Sequence, residues 1–120
     1  MPELKKYQMF IDGQWVDSDT KKTFETLNPE NNKPWAIVPE ASANDVDRAV
    51  KAAQKAFEGE WPKMLARDRA KYLRAIGNKL RENSELLGKI ETIDTGKLYR
   101  ETYQQAKYIA EYYDYYAGLA

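Results

Sequence analysis

The chain has 120 residues, 42% apolar and 32% charged, a balance that fits a folded globular protein and excludes a disordered or fibrous one; that length suffices for one sizeable core and not two. The 19 basic and 19 acidic side chains cancel, so no net field draws in nucleic acid or an anionic membrane surface. Cysteine and histidine are both absent, which removes disulfides, thiol nucleophiles, Ser-His and Cys-His pairs and the commonest zinc and haem ligands.

Met1-Pro2-Glu3-Leu4-Lys5-Lys6 leads into no apolar signal region. The longest apolar run, about Trp35 to Val38, is far short of a membrane span, so a soluble cytoplasmic protein is expected. Phe10 to Val16 reads as a β-hairpin, because Asp12-Gly13 suits a type I′ turn in which both residues need positive φ. A polar loop, Asp17 to Lys22, leads to a second extended pair, Thr23–Leu27 and Pro34–Val38. Turn residues Asn28-Pro29-Glu30-Asn31-Asn32 join the two. Pro34 and Pro39 predict that the second of these strands is an edge at best.

From Ser42 the period becomes helical. Ser42 and Asp45 have capping-box spacing, and Val46, Ala49, Val50, Ala53 and Phe57 share one face. Gly59 and Trp61-Pro62 end that helix. A second is expected from about Leu65 to Glu82, with Ala70, Leu73, Ile76 and Leu80 inward. Ser84 can cap a third that carries Leu86, Leu87, Ile90 and Ile93 on a stripe and closes at Gly96. The fourth, about Tyr99 to Ala117, places Ala106, Ile109, Ala110, Tyr113, Tyr116 and Ala117 together. The pattern is two β-hairpins (about 7–39) followed by about four α-helices (about 42–118), and the stop straight after an amphipathic helix reads as a cut rather than an ending.

The glycines at 13, 59, 77, 88, 96 and 118 spell neither a dinucleotide fingerprint nor a P-loop, and nothing alternates strand and helix as a Rossmann unit does. The second helix region holds seven basic residues between Lys63 and Glu82, yet in a chain of zero net charge it reads as a solvated face. Six tyrosines after Tyr99 (Tyr103, Tyr108, Tyr112, Tyr113, Tyr115 and Tyr116) crowd the last helix, suited to a half-buried interface or to an aromatic ligand wall. Asp94 is placed against the negative end of a helix dipole. Either a contact with Lys97 or a cation shared with helix-end carbonyls would offset this.

Landmarks along the whole chain together resemble the N-terminal segment of the NAD(P)-dependent aldehyde dehydrogenase superfamily. They are Ile11-Asp12-Gly13 with Trp15, Phe24-Glu25-Thr26-Leu27-Asn28-Pro29, Val38-Pro39-Glu40-Ala41-Ser42, and Asp45 to Ala53 with Phe57 and Trp61. Arg67 and Arg69, Glu91-Thr92-Ile93-Asp94-Thr95-Gly96-Lys97 and Tyr115-Tyr116-Ala117-Gly118 complete the set. The resemblance implies an α/β fold, in which residues 1–120 are the first part of a coenzyme-binding domain whose Rossmann sheet and catalytic domain lie beyond them. By position, Gln104 and Tyr108 resemble residues that line the family's aldehyde entrance. Thr23-Phe24-Glu25-Thr26 and Leu98-Tyr99-Arg100-Glu101-Thr102 are similar to the betaine-aldehyde branch. Members of that branch bind a monovalent cation, K+ or Na+, through positions matching Thr26, Leu27 and Asp94.

The resemblance further implies that the parent oxidises aldehydes to carboxylic acids with NAD or NADP, as a cytoplasmic homo-oligomer. A cysteine thiolate attacks the aldehyde, hydride passes to the nicotinamide, and a glutamate-activated water releases the acid. Those residues lie downstream in the family, so no catalytic or coenzyme-binding residue carries over and the chain alone is expected to be inactive. The partners implied are the aldehyde and the remainder of the dehydrogenase chain. The alternative is a non-enzymatic truncated helical interaction module whose tyrosine-rich last helix is its contact surface.

Overall fold

The computed structural model describes residues 4–120. Length alone argues for a single core, but the chain divides into two compact units, one ending at Pro62 and one beginning at Lys63.

Among the described residues the first unit holds five strands, β1 (Lys5–Lys6), β2 (Met9–Ile11), β3 (Gln14–Val16), β4 (Thr23–Asn28) and β5 (Lys33–Pro39), and one α-helix, α1 (Ala43–Glu58). The β2–β3 hairpin forms as its turn chemistry dictates: Asp12 and Gly13 take φ of 51° and 78°, and Phe10 pairs with Trp15 across it. Asn28 builds the next turn, its Oδ1 accepting from the Glu30 amide at 2.9 Å and its carbonyl from Asn32 at 2.7 Å.

β5 is not an edge. It is the middle strand of a three-stranded sheet, antiparallel to β4 and parallel to β1. The prolines permit this by their placement. Pro39 ends the strand, and Pro34 is opposite Leu27 at a register shift between Thr26 and Leu27. The two-residue β1 pairs only with Ala36 and Ile37, between those prolines, and Ala36 is fully buried.

α1 opens with the expected capping box, the Asp45 amide donating to Ser42 Oγ at 3.1 Å and the Ser42 amide to Asp45 Oδ2 at 3.0 Å. Asp45 is also buried. Its carboxylate accepts from Ser18 Oγ at 2.8 Å, from the Asp19 amide at 3.3 Å and from Arg48 Nη2 at 2.5 Å. The Ser42 amide leads in holding this carboxyl far below the usual range; Arg48, Ser18 and the Asp19 amide add to it, while burial opposes them. One carboxylate therefore caps the helix and pins the loop 17–22 to it. The apolar stripe of α1 is uncovered, with Val46, Val50 and Phe57 all more than half exposed.

The second unit holds α2 (Ala66–Glu82), α3 (Ser84–Thr95) and α4 (Tyr99–Leu119), and both α2 and α3 pack on α4. Its buried residues are small: Ala70, Gly77, Ser84, Gly88, Thr102, Ala106, Ala110 and Ala117. Small side chains let helix axes approach closely. A Cβ on Gly88 would come within 2.9 Å of the Tyr103 backbone, and one on Gly77 within 3.1 Å of the Ala110 carbonyl. Thr102 bridges the gap: its hydroxyl lies 2.9 Å from both Thr92 Oγ1 and the Gly88 carbonyl and 3.0 Å from the Tyr99 carbonyl, so it ties α3 to the start of α4.

The larger apolar residues expected inward sit nearer the surface, with Ile76, Leu86, Leu87, Ile93, Ile109 and Tyr116 exposed. Ser84 is the first helical residue rather than the cap. Asn83 takes the N-cap position, and Ser84 Oγ turns back to donate to the Arg81 carbonyl at 2.9 Å. Gly96 closes α3 as its position predicts, left-handed at φ 75°, with its N–H on the Thr92 carbonyl.

Candidate functional site

The outer face of α4 carries the two residues expected at a substrate entrance. Gln104 and Tyr108 are one helical turn apart and line the same shallow hollow with Gln105, Lys107 and Glu111. Tyr108 also lines the next hollow along the helix, with Glu111, Tyr112, Tyr115 and Tyr116. Its hydroxyl accepts from Tyr112 at 3.2 Å, and the two rings meet edge to face with centroids 5.1 Å apart. The hydrogen bond with Tyr108, foremost, pushes the Tyr112 phenol above its ordinary value. The Tyr112 phenol therefore stays protonated near pH 7 and is a hydrogen-bond donor rather than a base. Gln104 and Tyr108 were expected here from the family resemblance, by their position in the chain. The Tyr108–Tyr112 pair was missed, although their i, i+4 separation is its signal.

The basic stretch of α2 behaves as a solvated face. Lys71 pairs with Asp68 at 2.7 Å, Lys79 with Glu82 at 2.6 Å, and Arg81 with Asp114 of α4. Arg69 donates to the Met64 carbonyl.

The residues expected at a cation are placed as follows. Thr26 and Leu27 lie on β4 at its register shift, where Pro34 opposite brings no N–H to the ladder. Asp94 lies exposed in the last turn of α3, which holds no basic residue. The Lys97 ammonium is taken by Glu91 at 2.6 Å. Among the described residues there is no group of three or more His, Cys, Asp or Glu able to hold a metal ion, and no helix long and apolar enough to cross a membrane.

The model of the aldehyde dehydrogenase family matches residues 15–120. A dehydrogenase of (Z)-2-((N-methylformamido)methylene)-5-hydroxybutyrolactone from Acinetobacter baylyi is 40% identical over 98% of this chain, and aldehyde dehydrogenase family 2 member C4 of Arabidopsis thaliana is 39% identical over all of it. The crystal structure of betaine aldehyde dehydrogenase from Staphylococcus aureus in complex with NAD+ superposes with a TM-score of 0.89 and 42% identity over 93% of this chain and 22% of that one. An NAD-dependent aldehyde dehydrogenase from Sinorhizobium meliloti gives a TM-score of 0.91 and 32% identity over 97% and 24%. The chain spans about a quarter of the length of the curated relatives it matches. By sequence along nearly all its length, and by fold, the chain belongs to the aldehyde dehydrogenase family.

Proposed function

We propose that these residues are the N-terminal part of the coenzyme-binding domain of an NAD(P)-dependent aldehyde dehydrogenase, which as a whole oxidises aldehydes to carboxylic acids. One observation carries the reading: similarity runs through nearly the entire chain while reaching about a quarter of each relative. The chain contributes scaffold and part of the entrance, with Gln104 and Tyr108 guiding the aldehyde. It brings no thiol nucleophile, since it holds no cysteine, and no glycine-rich loop for the coenzyme. NAD or NADP is held by the remainder of the enzyme. A K+ or Na+ ion bound through Thr26, Leu27 and Asp94, a homo-oligomeric state and a cytoplasmic location rest on the resemblance. The purified 120-residue chain, given aldehydes and NAD+ or NADP+, is expected to form no reduced nicotinamide; turnover by it alone would overturn the assignment. In the full-length enzyme, Tyr108→Ala is expected to raise KM for bulky aldehydes more than it lowers kcat, and an unchanged KM would remove Tyr108 from the entrance.

A second reading has one observation in its favour. Val50, Phe57, Tyr115 and Leu119 are each at least 60% exposed, more apolar surface than a self-sufficient fold leaves open. On this reading the chain acts without catalysis, as a helical interaction module. A stop codon directly after Ala120 would favour it, and an open frame that supplies a cysteine nucleophile would remove it.

A further inference from the structure

The first unit contains a cleft that the dehydrogenase reading leaves without a role. It measures about 530 Å³ and is walled by Lys6, Tyr7, Asp17, Lys21, Lys22 and Thr23, among others. Its lining residues include three lysines and one aspartate. That carboxylate is already engaged, with Gln8 donating to it at 2.9 Å and Lys21 3.6 Å away. Among the described residues no carboxylate pairs with Lys6 or Lys22. The lysines of the neighbouring hollow beside α1 differ, since Lys51 meets Asp47 at 2.6 Å and Lys55 meets Asp12 at 3.7 Å.

The cleft is also held in shape. Ser18 and the Asp19 amide are fixed on the buried Asp45 carboxylate, the Lys21 amide closes a turn on the Ser18 carbonyl at 2.9 Å, and the Glu40 amide donates to the Lys22 carbonyl at 2.9 Å. On the opposite wall the Tyr7 amide donates to the Ile37 carbonyl at 2.9 Å, which seats the end of β1 against β5. The loop bearing Lys21 and Lys22 and the strand bearing Lys6 are thus each tied to buried structure, so a ligand in the cleft would not have to order the backbone on binding.

We propose that this cleft binds a small phosphomonoester. Ammonium groups are donors without acceptors, so the ligand must supply acceptors and negative charge. The volume exceeds that of a lone phosphate and lies within the range of small-molecule pockets, leaving room for a short carbon chain against Ile37 and Pro39.

The test is a titration of the 15N-labelled chain with glycerol 3-phosphate, inorganic phosphate and sodium chloride at matched ionic strength, read by amide shifts. Glycerol 3-phosphate is expected to saturate in the millimolar range and to move Tyr7, Lys22 and Thr23 together. Inorganic phosphate should bind the same residues more weakly, and equal affinity would show that the cleft reads a free anion and not an ester. The double variant Lys6→Gln/Lys22→Gln is expected to weaken binding by about tenfold, and Lys6→Arg/Lys22→Arg to retain it. Lys51→Gln/Lys55→Gln, with the same loss of net charge, should bind as the parent does. Shifts that are linear in concentration, that follow sodium chloride, or that respond equally to the two Gln pairs would overturn the proposal.

Discussion

Replacing Gly88 with Ala tests whether close helix approach holds the second unit together. Two effects oppose each other. Alanine is a better helix former than glycine by about 1 kcal/mol, which favours the variant at a position inside α3. Against this, the new Cβ would lie 2.9 Å from both the Cα and N of Tyr103, a backbone that no rotamer change can clear. α3 and α4 must then separate by a few tenths of an ångström or more, at a cost of about 1–3 kcal/mol for overpacking. The separation also lengthens the bond from Thr102 Oγ1 to the Gly88 carbonyl, now 2.9 Å, a buried contact contributing about 1 kcal/mol. The sum is a net loss of about 1–3 kcal/mol. For a cooperative unit of this size that is a fall in Tm of about 4 °C or more, measured by circular dichroism. Gly77→Ala, whose Cβ would meet the Ala110 carbonyl at 3.1 Å, should fall less, and Gly118→Ala, with nothing within 4 Å, should be neutral or gain. A Gly88→Ala variant as stable as the parent, or an order inverted among the three, would refute the close-approach argument.

Three further outcomes are expected. Asp45→Asn should flatten the acid side of the stability profile. The folded carboxyl lies below its unfolded value of about 3.9, so its contribution is present above about pH 4 and lost as the pH falls towards the folded value. Urea midpoints measured across the acid range check this, and an equally steep decline in the variant would contradict it. Gly96→Ala places a Cβ on a residue at φ 75° and should cost about 1 kcal/mol, read as a lower urea midpoint. In the full-length enzyme, Asp94→Ala should abolish any dependence of thermal stability on K+ or Na+, and a persisting dependence would place the ion elsewhere.

Local chemistry was legible in the sequence and distant pairing was not. The Asp12-Gly13 turn, the Ser42/Asp45 box and the Gly96 cap each depend on residues within four positions of one another, and all three form. The partners that make Asp45 more than a cap, Ser18 and Asp19, lie 27 and 26 residues away, where spacing carries no signal. β1 consists of two lysines, a residue type depleted in strands, and exists because β5 offers a free edge between its prolines. The helical periods correctly found apolar stripes, but they do not reveal what touches them. The contacts are made instead by a stripe of small residues, Thr102, Ala106, Ala110 and Ala117, which repeats every turn or two turns. Ala106, Ala110 and Ala117 of that stripe were on the face read from the sequence, and Thr102 was not.

The candidate site shows the same division at the scale of one charge. Sequence distance favoured Lys97 as the partner of Asp94, three residues earlier. Yet the left-handed Gly96 turns the chain back over α3, so residue 97 passes above the preceding turn. There Glu91 presents a longer side chain that is itself only a third exposed, and a contact made in that setting is less screened than one at the exposed helix end. Lys97 also pairs with Glu91, one turn inside the helix. The C-terminal carbonyls of α3 and the Asp94 carboxylate then share one end of the helix, whose last turn contains no basic residue.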